Sequence, residues 1–159
     1  MNRGIRDSAN GTRGEAGFAV VGIVMALAAL AGGHLVMMRA GGPVPTATEF
    51  GLGPRTSGAG LYSATLVASE ALRLRALQTV QVAIATANGA PVEDAQITID
   101  GGMPQHGHGL PTRPRVTRHI GNGVYEIDGV RFNMRGWWEF KLSISSPVGT
   151  DVVTFNLAL

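Results

Sequence analysis

Residues 130–144 read Val-Arg-Phe-Asn-Met-Arg-Gly-Trp-Trp-Glu-Phe-Lys-Leu-Ser-Ile. Val130, Phe132 and Met134 fall on one face, opposite Arg131, Asn133 and Arg135. Trp138, Phe140, Leu142 and Ile144 then share a face opposite Trp137, Glu139, Lys141 and Ser143. A period of two is the mark of a strand with one face in a core and one in water. On this reading Met134 packs inward with Phe132. Trp137 is a large aromatic on the polar face, a residue type that buried interfaces favour.

The same period runs outward in both directions. Upstream, Tyr62, Ala64 and Leu66 alternate with Ser63, Thr65 and Val67, and Val80, Val82 and Ile84 alternate with Gln81, Ala83 and Ala85. Asn88-Gly89 and Pro91 supply a turn, after which Ala95, Ile97 and Ile99 point inward. A short strand around Val116 ends at Gly121-Asn122-Gly123. Tyr125 and Ile127 follow, and a last strand carries Val153, Phe155 and Leu157. Glu70–Leu77 fits helix by composition and strand by alternation. Seven or eight short strands in residues 61–159, with turn signals between them, predict a mainly β fold, an immunoglobulin-like β-sandwich. Asn122-Gly123-Val124-Tyr125 resembles the start of a tyrosine corner.

Ahead of this domain lies a different kind of chain. Met1–Glu15 is polar, carries Arg3, Arg6 and Arg13, and has too few apolar residues to order itself alone. Residues 16–38 carry no charge; as a helix they span roughly 34 Å, enough for a hydrocarbon core of about 30 Å. Ala29-Leu30-Ala31 offers a small-x-small cleavage pattern, but the apolar run exceeds the ~7–15 residues usual for a signal peptide. We therefore expect an uncleaved, single-pass transmembrane helix. The arginines before it, against Arg39 alone close behind, place its N-terminus in the cytoplasm of a bacterial inner membrane and the sandwich in the periplasm. Gly22, Ala26, Ala29 and Gly33 recur on one stripe, where another helix could approach, although alanine and glycine are common in such helices. His34, near the outer end, is a candidate pigment or haem ligand or a residue of the wet interface. Residues 39–60, rich in glycine and proline, read as a linker.

The chain has no cysteine, which excludes disulfides, thiolate metal sites and Cys nucleophiles. Within residues 61–159 acidic and basic side chains balance, which predicts no basic face for a phosphate backbone and no nucleic-acid partner. No nucleophile–base pair or phosphate-binding glycine loop stands out, so we expect no enzymatic activity.

The chemistry-bearing stretch is Gly101–Pro114, Gly-Gly-Met-Pro-Gln-His-Gly-His-Gly-Leu-Pro-Thr-Arg-Pro. Met103, His106 and His108 could converge from this loop, since alternate residues of an extended segment share a side. Thioether and imidazole donors suit Cu(I). His119 and Met134 are candidate further ligands. The competing reading is that glycines serve tight turns and each imidazole bonds a neighbouring strand.

Residues 61–159 resemble the YtkA-like extracytoplasmic family, often labelled FixH-like. The resemblance is carried by Pro91-Val92-x-x-Ala95, Gly102-Met103-Pro104-x-His106-Gly107-His108-Gly109 and Pro111-Thr112. It continues through Gly123-x-Tyr125 and Phe132-x-Met134-x-Gly136-x-Trp138-Glu139. It implies a small β-sandwich, usually anchored by one N-terminal helix, in proteins tied to respiratory-chain or copper functions and without an agreed enzymatic activity. Many members carry methionine where this chain has Leu110. The resulting expectation is an accessory subunit or assembly factor of a respiratory or photosynthetic membrane complex. It would contact larger integral membrane subunits of that electron-transfer complex through the helix stripe and Trp137. The alternative is a periplasmic copper-binding or copper-delivery domain.

Overall fold

The computed structural model describes residues 43–159. The expected tail and transmembrane helix, with Gly22, Ala26, Ala29, Gly33 and His34, lie outside them. The strands are β1 (Arg55–Thr56), β2 (Tyr62–Val67), β3 (Gln78–Thr86), β4 (Gln96–Met103) and β5 (His108–Gly109). They continue as β6 (Arg115–Gly121), β7 (Val124–Val130), β8 (Trp137–Ser146) and β9 (Gly149–Ala158). They form two antiparallel sheets, β1-β2-β3-β7-β6 and β5-β4-β8-β9, packed face to face as a β-sandwich.

Alternation sets the inner faces. Tyr62, Ala64, Leu66, Val80, Val82, Ile84, Tyr125 and Ile127 from one sheet meet Trp138, Phe140, Leu142, Ile144, Val153, Phe155 and Leu157 from the other, all buried. Phe132 stands edge-on to both Trp138 and Phe140, with centroids 5.3 and 6.3 Å away, the arrangement that aromatic quadrupoles favour. Ile97 and Ile99 face inward as expected but are only half-buried.

Turn chemistry closes the sheets. Asn122 and Gly123 have φ of 51° and 69°, the double positive-φ geometry of a two-residue hairpin between β6 and β7. A side chain at Gly123 would meet the Ile84 carbonyl at 2.4 Å, so no other residue fits. Glu70–Leu77 is neither helix nor strand. Arg75 turns through φ 62°, while Gln78 and Arg73 exchange side-chain-to-backbone hydrogen bonds of 2.7 and 2.9 Å.

Tyr125 fastens the sandwich, though not as a tyrosine corner. Its hydroxyl donates to the Val92 carbonyl at 2.7 Å and accepts from the Ala95 amide at 2.9 Å. It therefore pins the loop that carries the chain from one sheet to the other, instead of backbone a few residues upstream. Burial pushes its phenol pKa up. Tyr125→Phe leaves a buried carbonyl and amide unpaired and should cost about 1–3 kcal/mol, read as a lower urea midpoint with an unchanged slope.

Two carboxylates clip neighbouring strands on the outside. Asp128 accepts from Thr79 Oγ1 on β3 at 2.6 Å and from Thr117 Oγ1 on β6 at 3.1 Å. Asp151 accepts from the Ala59 and Leu61 amides. Both are held below their ordinary value of 3.8, Asp128 chiefly by the Thr79 hydroxyl and Asp151 chiefly by the Ser57 hydroxyl. A lowered folded-state pKa gives stability that is present above the unfolded value and lost as pH falls through the folded one. The melting temperature should therefore drop on acidification below about pH 4. In Asp128→Asn/Asp151→Asn the melting temperature should be lower at neutral pH and fall less on acidification.

Candidate functional site

The histidine loop is a tight hairpin. Met103 pairs with His108 and Gly102 with Gly109, and the amides of His106 and Gly107 both donate to the Met103 carbonyl, at 3.1 and 2.9 Å. The hairpin leaves both imidazoles exposed. Their rings lie 6.3 Å apart and within 14° of parallel, on one side of the turn. The two rings are brought together by a turn and not by the extended segment expected from the sequence.

Met103 does not join them. It continues the inward series Ile97, Ile99, and is only 2 % exposed. A Cβ at Gly136 would meet its Cε at 2.9 Å, which places the thioether beneath the segment joining β7 to β8. Alternation along β4 forces this, since an odd number of steps from Ile99 would be needed to turn the sulfur outward.

His119 is also elsewhere. It stacks on Tyr125, with centroids 4.4 Å apart, and its Nε2 lies 3.0 Å from Glu93 Oε2. Tyr125 holds Ala95, just ahead of β4, whereas the hairpin begins at Met103 at the other end of that strand. At ~3.3 Å per residue those two places are roughly 25 Å apart. His119 belongs to a separate polar cluster.

Met134 takes the place expected of Met103. The sequence pattern packs it with Phe132, but β7 has ended at Val130 and the chain turns before β8, so the period no longer applies. Phe132 remains inside through an isolated bridge to Leu74, while Met134 is 42 % exposed. The Trp138 Nε1 donates to the Met134 carbonyl at 2.9 Å and fixes the turn. Met134, Asn133, Trp138 and Pro111 line one groove with His108, about 350 Å³ in volume. The signal available in the sequence was Gly136, which ends the alternation and has φ +130°. The groove thus brings the His108 imidazole and the Met134 thioether together, with the His106 ring 6.3 Å from that of His108. Among the described residues no three His, Cys, Asp or Glu side chains gather as a metal-binding group. Leu110 is packed against the core.

Trp137 departs from expectation in exposure. It lies on the outer face, yet only 7 % of it is accessible, and its Nε1 donates to Asn156 Oδ1 on β9 at 2.9 Å. Alternation gives the face of a side chain and not its exposure.

The expected absence of a basic face also needs correction. The sheet registers gather Arg73, Arg75, Arg113, Arg115, Arg131 and Arg135 at the end bearing the hairpin, and Glu93, Asp94 and Asp151 at the opposite end. Neutral totals conceal that polarity.

The model of the YtkA-like family matches residues 55–143, from β1 through most of β8. The chain belongs to the YtkA-like family. No curated protein and no solved structure matches the chain. In this YtkA-like domain the matched span contains the hairpin, Tyr125 and Met134, while β9 lies beyond it.

Gly136 couples the core to the site. Gly136→Ala combines positive-φ strain with an approach to Met103. It should cost about 1–3 kcal/mol in a denaturant titration, and Met103→Ala should cost less in that background than alone, so that the two losses are not additive.

Proposed function

We propose that this YtkA-like domain is a non-enzymatic, extracytoplasmic Cu(I)-binding domain, with His106, His108 and Met134 as its ligands. The observation that carries the reading is that an exposed methionine lines one groove with His108, whose ring runs parallel to that of His106. Imidazole with thioether is a soft, neutral donor set that suits Cu(I) better than Mg²⁺ or Ca²⁺, which call for oxygen ligands. Bound there, copper would supply a transferable soft ion at the protein surface. The protein's own part is positional: the Met103 carbonyl folds the hairpin, and the Trp138 indole holds the Met134 turn.

The strand order supports an immunoglobulin-like reading of the sandwich, with β1-β2-β3-β7-β6 as one sheet and β5-β4-β8-β9 as the other. Such folds present their loops at the ends of the sheets, and this site is at one of those ends. We place the domain outside the membrane on the strength of the uncharged stretch at residues 16–38. A role as accessory or assembly factor for larger membrane subunits fits a copper-handling domain. Docking through Trp137 has less support, because its indole is buried and already hydrogen-bonded.

Titrating Cu(I) into the domain against a competing chelator tests the proposal. His106→Ala, His108→Ala and Met134→Leu should each weaken binding at least tenfold, about 1.4 kcal/mol, while His119→Ala leaves it unchanged. Binding that survives loss of both His106 and His108 would sink the assignment.

A further inference from the structure

The arginines of Arg73, Arg75, Arg113, Arg115 and Arg135 are exposed, and Arg131 is half-buried. They come from three separate connections, before β3, before β6 and between β7 and β8, which the antiparallel registers bring to one end of the sandwich. Their acidic neighbours are few. Glu70 lies 3.5 Å from Arg73, Asp128 is engaged by Thr79 and Thr117, Glu139 pairs with Lys141 at 2.6 Å, and Asp100, opposite Lys141, accepts from the Gly101 amide. Glu49 stands on the segment by which the chain enters the sandwich. Among the described residues most of the guanidinium charge at this end has no carboxylate partner.

Three further features share that end. Leu77, Val67 and Met134 are 65 %, 49 % and 42 % exposed beside the arginines, while Val148, Ile120 and Val152 are comparably exposed at the opposite end, so charge and not apolar surface distinguishes the two ends. The described chain also enters here: Phe50 bridges to Asn156, and the Gly51 amide donates to the Asn156 carbonyl at 2.9 Å. The segment leading back toward the uncharged stretch at residues 16–38 therefore joins the sandwich at this end.

We propose that the arginine-bearing end docks on an anionic lipid headgroup surface. Guanidinium groups pair with phosphate oxygens in bidentate fashion, and exposed Leu77 and Val67 can enter the headgroup boundary. The opposite end, with Glu93, Asp94 and Asp151, is repelled by the same surface, so docking has one orientation. The inference uses neither copper nor the two histidines, and it stands or falls apart from the metal reading.

Among the described residues the core side chains lie within residues 52–159, so residues 43–159 can be tested as a domain once a cooperative melt confirms folding. The probe is vesicles of phosphatidylcholine with or without phosphatidylglycerol, read by co-sedimentation. Binding should require phosphatidylglycerol and be largely lost in 0.5 M salt, about where charges are screened within a few ångströms. It should weaken at least tenfold in Arg75→Gln/Arg113→Gln/Arg135→Gln. A control of equal net charge, with Ala87→Glu, Ala90→Glu and Thr150→Glu at the acidic end, should keep most of the binding. Equal binding to phosphatidylcholine alone, no binding to either, or equal loss in the control overturns the proposal. So does tighter binding to duplex DNA than to the vesicles, which would assign the patch to a soluble polyanion.

Discussion

The indole of Trp138 must be buried and must also hydrogen-bond, and much of this molecule follows from satisfying both. Its ring is 1 % exposed and meets Phe132 edge-on at 5.3 Å. A buried indole N–H without a partner is costly, and here it finds the Met134 carbonyl at 2.9 Å. That bond lies in the turn by which the chain passes from β7 in one sheet to β8 in the other. It fixes the intervening turn, sends the Met134 side chain outward, and sets it along the groove that His108 lines. Core packing and surface chemistry are therefore determined by the same residue.

Met103 completes that arrangement from the opposite side. Its backbone carbonyl receives two amides and folds the histidine hairpin, while its side chain supports the turn at Gly136 from within. The two methionines thus exchange the roles that their sequence settings suggest. The one inside the His-bearing motif is structural, and the one inside an apolar pattern is exposed. A substitution at Met103 would disturb the site through packing, whereas one at Met134 would change its chemistry.

The sandwich was legible because period two is a direct consequence of strand geometry. Tyr62, Val82, Ile127, Phe140 and Phe155 all face the core as their spacing demands. The nearness of His106 and His108 comes instead from the turn at residues 104–107, where alternation does not apply. What failed was alternation carried past the end of a strand, as at Met134, and alternation read as exposure, as at Trp137. His119 could not be placed because its distance from the hairpin depends on which strand pairs with which, and Tyr125, its neighbour in space, is bonded to backbone far back in the chain. Charge was misread by summing it: the balance of residues 61–159 hides arginines that only the folded registers bring to one end.

The central claim is that the soft ligand of the site is Met134 and that Met103 belongs to the core. Residues 43–159 contain no other methionine, so the methyl carbon spectrum of that domain holds two methionine signals. On addition of Cu(I), the account predicts that the Met134 methyl shifts or broadens together with the His106 and His108 ring resonances, while the Met103 methyl stays in place. A shift at Met103 with Met134 unmoved, or movement of neither, would contradict it.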